Sequence, residues 1–267
     1  VPRHPQFAVA VEARGGRVVA ELAQTVPGRG LRLQPGVPAV ASSWYLADAF
    51  GGPNSSEQLQ VFNPGRTDVT ASVAVLPNGT DPASFPEPFL LDVPARRYAT
   101  VDLSAETRLP PEGLRSIRVD VASGPGVVVN QIDTITGAGG DGTAATRPAV
   151  PGGLASTSGS SAQSTRWLVP TLGQSSDGQP VVVIANPSTD TIAVAKVTAI
   201  SDGKHRPVAA DLEIPPRQSL AVDLTAATAN GQIGAVVTAN SPVVVSSRMT
   251  SNSLADLWLV PAVPDRA

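Results

Sequence analysis

Only two imidazoles occur in the 267 residues, His4 and His205. A Ser–His–Asp site would have to use one of them as its base. His4 lies in a Pro-flanked terminal stretch, and His205 sits in SDGKHRP, a phrase that reads as a hairpin tip. A catalytic role is expected of neither, and no Gly-x-Ser-x-Gly, His-Glu-x-x-His, P-loop or Rossmann glycine pattern is present. Carboxylates offer a second chemistry. A glycosidase needs two of them on one sugar, about 5 Å or about 6.5–9.5 Å apart. The obvious pairs, Asp102 with Asp223 and Asp92 with Glu213, occupy matching places in two separate stretches. They are not expected to converge, and bonding to the local backbone at strand ends accounts for them. The phrases GGDG (139–142) and SSDG (175–178) lack the spaced oxygen ligands of a calcium loop. With no Cys, thiolate chemistry is excluded. No catalytic residue, cofactor or metal site is assigned.

Binding chemistry has more to work with. All three Trp head a similar short phrase: WYLA at Trp44, WLVP at Trp167 and WLVP again at Trp258. Indoles can stack on sugars, but apolar residues follow each one in a strand-like run, so core packing is the expected role. The loop TDPASFPEPF (80–89) carries Phe85 and Phe89, where the matching stretch has only KHRPVAA. Apolar loop residues mark partner contacts when exposed, or they cover the neighbouring core. Arg96 and Arg97, echoed by Arg217 and Gln218, suit an anionic glycan or a solvated strand face. Phe85, Phe89, Arg96 and Arg97 are the candidate partner contacts.

These residues must be positioned by a repeated element. WYLADAFGGPNSSEQLQVFNPG starts at Trp44 and WLVPTLGQSSDGQPVVVIANPS at Trp167; in both, Asn-Pro follows Trp by 19 residues, at Asn63 and Asn186. Three further blocks match in the same order, at offsets between 116 and 124. Such self-similarity marks internal duplication. FAVAVEARGGRVVAEL resembles the last hairpin of each copy, so a partial copy precedes the first full one.

Within the copies, β-branched residues recur in short runs bounded by Gly, Pro, Asn and Asp. The 24 Gly and 26 Pro argue for turns and against long helices. The expected fold is all-β, as tandem immunoglobulin-like antiparallel β-sandwiches. The expected divisions are 1–50 as a partial repeat (late hairpin plus Trp strand), 51–170 as the first sandwich with a long Gly/Ser/Pro-rich loop at 137–165, and 171–267 as the second. Each Trp strand is expected to complete the sandwich before it, since Trp258 would otherwise be orphaned. The stretch 22–43 reads as a crossover loop like 137–165. Asn78-Gly79 and Asp202-Gly203 read as two-residue hairpin turns with φ > 0 at both positions. Pro94 and Pro215 are expected to begin strands or lie on an edge.

Net charge is −3, with 17 Arg and 2 Lys, which gives no basic footprint for nucleic acid. No apolar run approaches the roughly 18–20 residues that cross a bilayer. Val1 is not a natural start, so membrane attachment is expected only through an upstream anchor.

On the Trp phrase, Asn63-Pro64-Gly65, Pro94 and Asp102-Leu103, and their counterparts Asn186-Pro187-Ser188, Pro215 and Asp223-Leu224, the chain resembles an uncharacterised family of actinobacterial extracytoplasmic proteins. The resemblance covers most of 44–261 and departs where Ser188 replaces Gly65. It implies a cell-envelope location, secreted or membrane-anchored, and no assigned activity. The expected function is therefore a non-enzymatic scaffold or protein-interaction module, with a protein or an envelope polysaccharide as partner. The alternatives are a glycan-binding module, which requires an exposed aromatic in a polar groove, and an accessory subunit of a membrane-bound envelope glycosyltransferase-type enzyme, which requires a large apolar patch.

Overall fold

The structure is a computed structural model that describes residues 8–26, 30–135, 153–170, 178–227, 233–251 and 257–265. It is all-β and antiparallel; among the described residues the only helical pieces are two 3-10 turns, Pro82–Ser84 and Thr225–Ala227.

A ribbon comes first: β1 (Glu21–Val26) pairs with β2 (Gly30–Pro35). The first unit follows, with β3 (Ser43–Gly51), β4 (Ser55–Asn63), β5 (Val69–Pro77), β6 (Phe89–Val93), β7 (Arg97–Asp102), β8 (Gly113–Val121), β9 (Val128–Ile135) and β10 (Leu154–Ser158). These form two four-stranded sheets, ordered β3-β8-β5-β6 and β10-β9-β4-β7. Alternation explains the core between them. In β4, Glu57, Leu59 and Val61 point inward, and in β5 Val69, Ala71, Val73 and Val75 do the same. They meet Trp44, Ile117, Val119 and Val129 in one buried cluster.

The second unit comprises β11 (Ser164–Val169), β12 (Gly178–Ala185), β13 (Ala193–Ser201), β14 (Lys204–Ile214), β15 (Ser219–Asp223), β16 (Gly234–Ser251), β17 (Leu257–Pro261) and β18 (Val263–Pro264). Its strands β11, β13 and β14 gather on the first half of β16, and β12, β15 and β17 on the second half. The 18-residue β16 thus serves both layers. In the first unit the same path breaks into β8 and β9. Gly126, at φ 101°, sits in the break, where a Cβ would lie 2.6 Å from the Ala41 carbonyl oxygen.

Two of the matched phrases make like bonds in the two units. Trp44 and Trp167 are buried, and their indole N–H groups donate to the Val127 and Val243 carbonyls at 2.8 and 3.0 Å. Asn63 Oδ1 accepts from the Gly65 N–H while its Nδ2 donates to the Thr67 and Val93 carbonyls. Asn186 makes the same three bonds with Ser188, Thr191 and Ile214. A side-chain amide replaces the ladder where the chain leaves the sheet.

Several sequence expectations are corrected. Each Trp strand opens its unit: β3 pairs with β8, and β11 with β16, because the acceptor for each indole lies in the unit that follows. The strand of Trp44, expected within a partial repeat at 1–50, therefore belongs to the first unit. Trp258 has a different place. β17 pairs with Ser246–Thr250, just as β10 pairs with β9, so the WLVP phrase at 258 is the spatial counterpart of LASTS, and its indole is 45% exposed. The late hairpin expected over 7–22 does not form among the described residues: 8–20 carry no strand, and the first strand begins at Glu21. Strands form instead at β1 and β2, inside the expected crossover loop.

Asp202 and Gly203 take φ of 50° and 69° as a tight hairpin requires. Asn78 does not, because the three prolines of the following insertion cannot extend a ladder, and its N–H donates to the Leu114 carbonyl. Pro94 and Pro215 open β-turns closed by Arg97 N–H to Pro94 and Gln218 N–H to Pro215. Arg96 and Arg217 occupy the left-handed position of those turns, at φ 57° and 59°. The loop 137–165 lies outside the described residues up to 152; from 153 it becomes β10 and leads into β11.

Candidate functional site: the seam between the units

Polar residues in inward phase converge at one end of the first core. Glu57 on β4 stands opposite Asp133 on β9, and Gln131 is two residues before Asp133 on the same face. Arg115 projects from β8 and Asp48 from β3. A register shift between Leu46 and Ala49 in β3 is the local cause of Asp48's burial, since it places Ala47, Asp48 and Ala49 all out of solvent. Glu57 and Asp48 are 1% and 3% exposed.

Arg115 holds Glu57 through Nη2 and Nε at 2.8 and 3.0 Å, a fork on a single carboxylate oxygen. Arg248, from β16 of the second unit, donates to Asp48 Oδ1 at 2.9 Å. Gln131 Nε2 bridges the Asp48 carbonyl and Asp133 Oδ2 at 2.9 and 2.8 Å. Asp133 alone of the three acids has no cation. Burial, followed by the Glu57 and Asp48 charges, pushes its carboxyl well above the ordinary Asp range. Burial also raises Asp48 against the pull of Arg248, and Glu57 against that of Arg115. Of the three, Asp133 is the acid whose charged form burial opposes without an ion pair. Asp48 Oδ2, Glu57 Oε1, Gln131 Oε1 and Asp133 Oδ1 have no hydrogen-bond partner. All four are acceptors when the acids are ionised, and a proton on Asp133 supplies a donor.

Among the described residues, this network is one of several contacts between the units. A second is apolar: Ala47, Val183, Ala185 and Val244 form a buried cluster edged by Tyr45, Leu114 and Val181. A third is polar. Gly79 N–H donates to Gln218 Oε1 at 2.7 Å, Gln218 Nε2 donates to the Thr80 carbonyl at 2.9 Å, and Ser219 N–H donates to Asn78 Oδ1 at 3.2 Å. A cleft of about 320 Å³ opens beside the network, bordered by Asp48, Gln131, Ser156, Ser246, Leu259 and Pro35. Strands β10 and β17 approach each other along it without sharing a ladder.

Glu57 and Asp48 are held in ion pairs, and Asp133 accepts from Gln131. His205 is exposed at the start of β14, and His4 lies outside the described residues. Among the described residues, no group of three His, Cys, Asp or Glu side chains is placed to hold a metal ion. Asp102 Oδ1 accepts from the Ser104 and Ala105 N–H groups, and Asp223 Oδ1 from Thr225 N–H. Asp92 accepts from the Thr70 hydroxyl.

The candidate contacts separate. Phe85 ends the first 3-10 turn, half-buried. Phe89 packs on the first core under the Arg108 guanidinium, 4.1 Å from its ring centre. Leu90 takes the outward position and is 78% exposed. Arg96 and Arg97 are exposed at the opposite end of β6. The seam residues Asp48, Glu57, Arg115, Gln131, Asp133 and Arg248 escaped sequence reading. A signal existed for four of them: Glu57, Arg115, Gln131 and Asp133 each keep apolar phase with Leu59, Ile117 or Val129, and a polar residue in that phase must find a partner.

A family model described as "Family of unknown function (DUF5719)" matches residues 28–265. No curated protein sequence matches the chain. Among solved structures, "Crystal Structure of Thermotoga maritima 1070" is similar at 16% identity and a TM-score of 0.32, covering 45% of this chain and 94% of that one.

Proposed function

We propose that this chain, which belongs to the DUF5719 family of unknown function, is a non-catalytic scaffold or protein-interaction module of an actinobacterial cell envelope. Its two units are duplicated immunoglobulin-like β-sandwiches that work as a joined pair. One observation carries the reading: a buried carboxylate acts as a fastener, with Asp48 of one unit bonded to Arg248 of the other at 2.9 Å. Ionisable groups committed to an internal joint are unsuited to turnover and suited to holding two surfaces in fixed relation. The extracytoplasmic location rests on the resemblance of the Trp and Asn-Pro phrases.

Partner contact is assigned to Leu90, the most exposed of the large apolar residues in the strands of the two units, together with Phe85. Cross-linking in native envelope fractions tests this. Wild-type protein retains a defined protein partner, and Leu90→Asp, with an unchanged melting temperature, loses it. Hydrolysis of envelope polysaccharide that Asp133→Asn abolishes without altering stability overturns the reading.

A further inference from the structure

Among the described residues two arginines are buried, Arg32 and Arg115, and Arg32 lacks a counter-ion. Arg115 has Glu57, and Arg248 has Asp48. Arg32, on β2, is 9% exposed and forms no ion pair among the described residues. Its Nε and Nη2 both donate to Gln24 Oε1 across the ribbon, and its Nη1 is buried with no acceptor. A buried guanidinium costs several kcal/mol unless an anion meets it, so burial without one needs an explanation. That burial also pulls the Arg32 pKa below its ordinary value.

The surroundings supply one. Arg32 lines a cavity of about 230 Å³ between the ribbon and the outer face of β4 and β9, with Gln34, Gln60, Phe62, Tyr98 and Asn130. Glu21, at the exposed start of β1, also borders it. Gln34 Nε2 is bonded to the Ser158 hydroxyl, but Gln34 Oε1 and Asn130 Oδ1 have no partner. The cavity therefore pairs one unmet cationic donor with two unmet acceptors, beside two aromatic rings.

The second unit provides an internal control. Counted from Asn63 and Asn186, Gln60 and Phe62 correspond to Val183 and Ala185, and Asn130, opposite Gln60, corresponds to Ser246, opposite Val183. There the face is apolar at β12 and closes against Ala47 of the first unit. In the first unit the same positions carry amides and a phenyl ring, and a cavity remains under the ribbon. A surface needed only for packing has no use for that exchange.

We propose that this cavity is a binding site for an anion that carries hydroxyl groups, a sugar acid being the chemical class. Its carboxylate meets Arg32 Nη1, its hydroxyls donate to Gln34 Oε1 and Asn130 Oδ1, and its carbon face lies against Phe62 and Tyr98. A planar guanidinium matches a carboxylate well. The site stands independently of the scaffold reading, since it uses neither the seam nor Leu90.

Thermal unfolding of the full chain with glucuronate, glucose 6-phosphate, glucose or acetate tests it, with affinities from calorimetry. Glucuronate raises the melting temperature of the wild type, glucose does not, and acetate binds at least tenfold more weakly than glucuronate. Without ligand, Arg32→Met melts at the same temperature as the wild type or higher, because an uncompensated charge has gone, and it loses the glucuronate shift. Acetate equal to glucuronate removes the hydroxyl contacts and overturns the sugar assignment. Glucose 6-phosphate shifting the wild type when glucuronate does not has the same effect. No shift from either acid, or an equal shift in Arg32→Met, overturns the site itself.

Discussion

Arg248 reaches across the seam to Asp48 at 2.9 Å, and the guanidinium also lies 5.0 Å from the centre of the Phe50 ring. Burial raises the Asp48 carboxyl, and Arg248 opposes that rise. Arg248→Ala leaves the carboxylate without its partner, and the expected cost is about 3 kcal/mol near neutral pH. Asp48→Asn together with Arg248→Met restores much of the loss, since no charge is then stranded. Urea unfolding of Asp48→Asn, Arg248→Met and the double variant measures the coupling; additive losses would show that the pair does not join the units.

The Gln218 side chain clasps the 79–80 backbone with two hydrogen bonds, while its counterpart Arg97 is exposed and bonds nothing across a seam. Gln218→Ala is expected to cost about 1–2 kcal/mol, and Arg97→Ala less than about 0.5 kcal/mol. The contrast isolates the seam from the turn, because both residues end the same kind of turn. Equal effects in chemical denaturation would assign the cost to the turn alone.

The three Trp should divide two to one. Trp44→Phe and Trp167→Phe each remove a buried indole hydrogen bond and leave a gap in a filled core, at about 2–3 kcal/mol. Trp258→Phe alters a half-exposed ring and is expected to change stability by under about 1 kcal/mol. Tryptophan fluorescence offers a second check: the emission of Trp258 is quenched by iodide in the native protein, and that of the other two is not.

Much of the strand pattern was legible because it obeys period two. Residues 69–77 alternate strictly inward and outward, and β5 forms there. The Asn-Pro markers were legible as turns, because few residues close a turn with a side-chain amide. Trp258 misled, since an identical tetrapeptide in another sheet position meets different neighbours, and four residues do not encode which edge they join. Asp48 was invisible: its burial arises from a bulge in β3, and a bulge shows only once β3 is paired with β8. Arg248 alternates correctly for an outward, solvated position, and only the docked first unit buries it.

Asn63 and Asn186 each satisfy one N–H and two carbonyls in the interior. Replacing either with Ala strands those backbone groups, at an expected cost of about 3 kcal/mol. Asn63→Asp is expected to be at least as damaging, since a carboxylate then faces the Thr67 and Val93 carbonyls without a donor. Thermal melts of the two Ala variants should agree closely, as the bond sets match; a large difference would mean the two turns carry unequal loads.

Asp133 sets the pH response. Its folded-state pKa is raised, so between the unfolded value, about 3.9, and the folded one the native protein binds more protons than the unfolded chain. Stability from this group is therefore full below about pH 4 and falls as pH rises through the window, at no more than about 1.4 kcal/mol per pH unit. Asp48 and Glu57 are also raised and add slope of the same sign. Asp133→Asn keeps an oxygen and a donor in place without the charge. It is expected to match the wild type near pH 4, to exceed it at pH 8, and to flatten the decline between. Urea midpoints at pH 4, 6 and 8 decide the matter: a variant that parallels the wild type at all three would mean that Asp133 is ionised in the native state and that the proton resides elsewhere in the network.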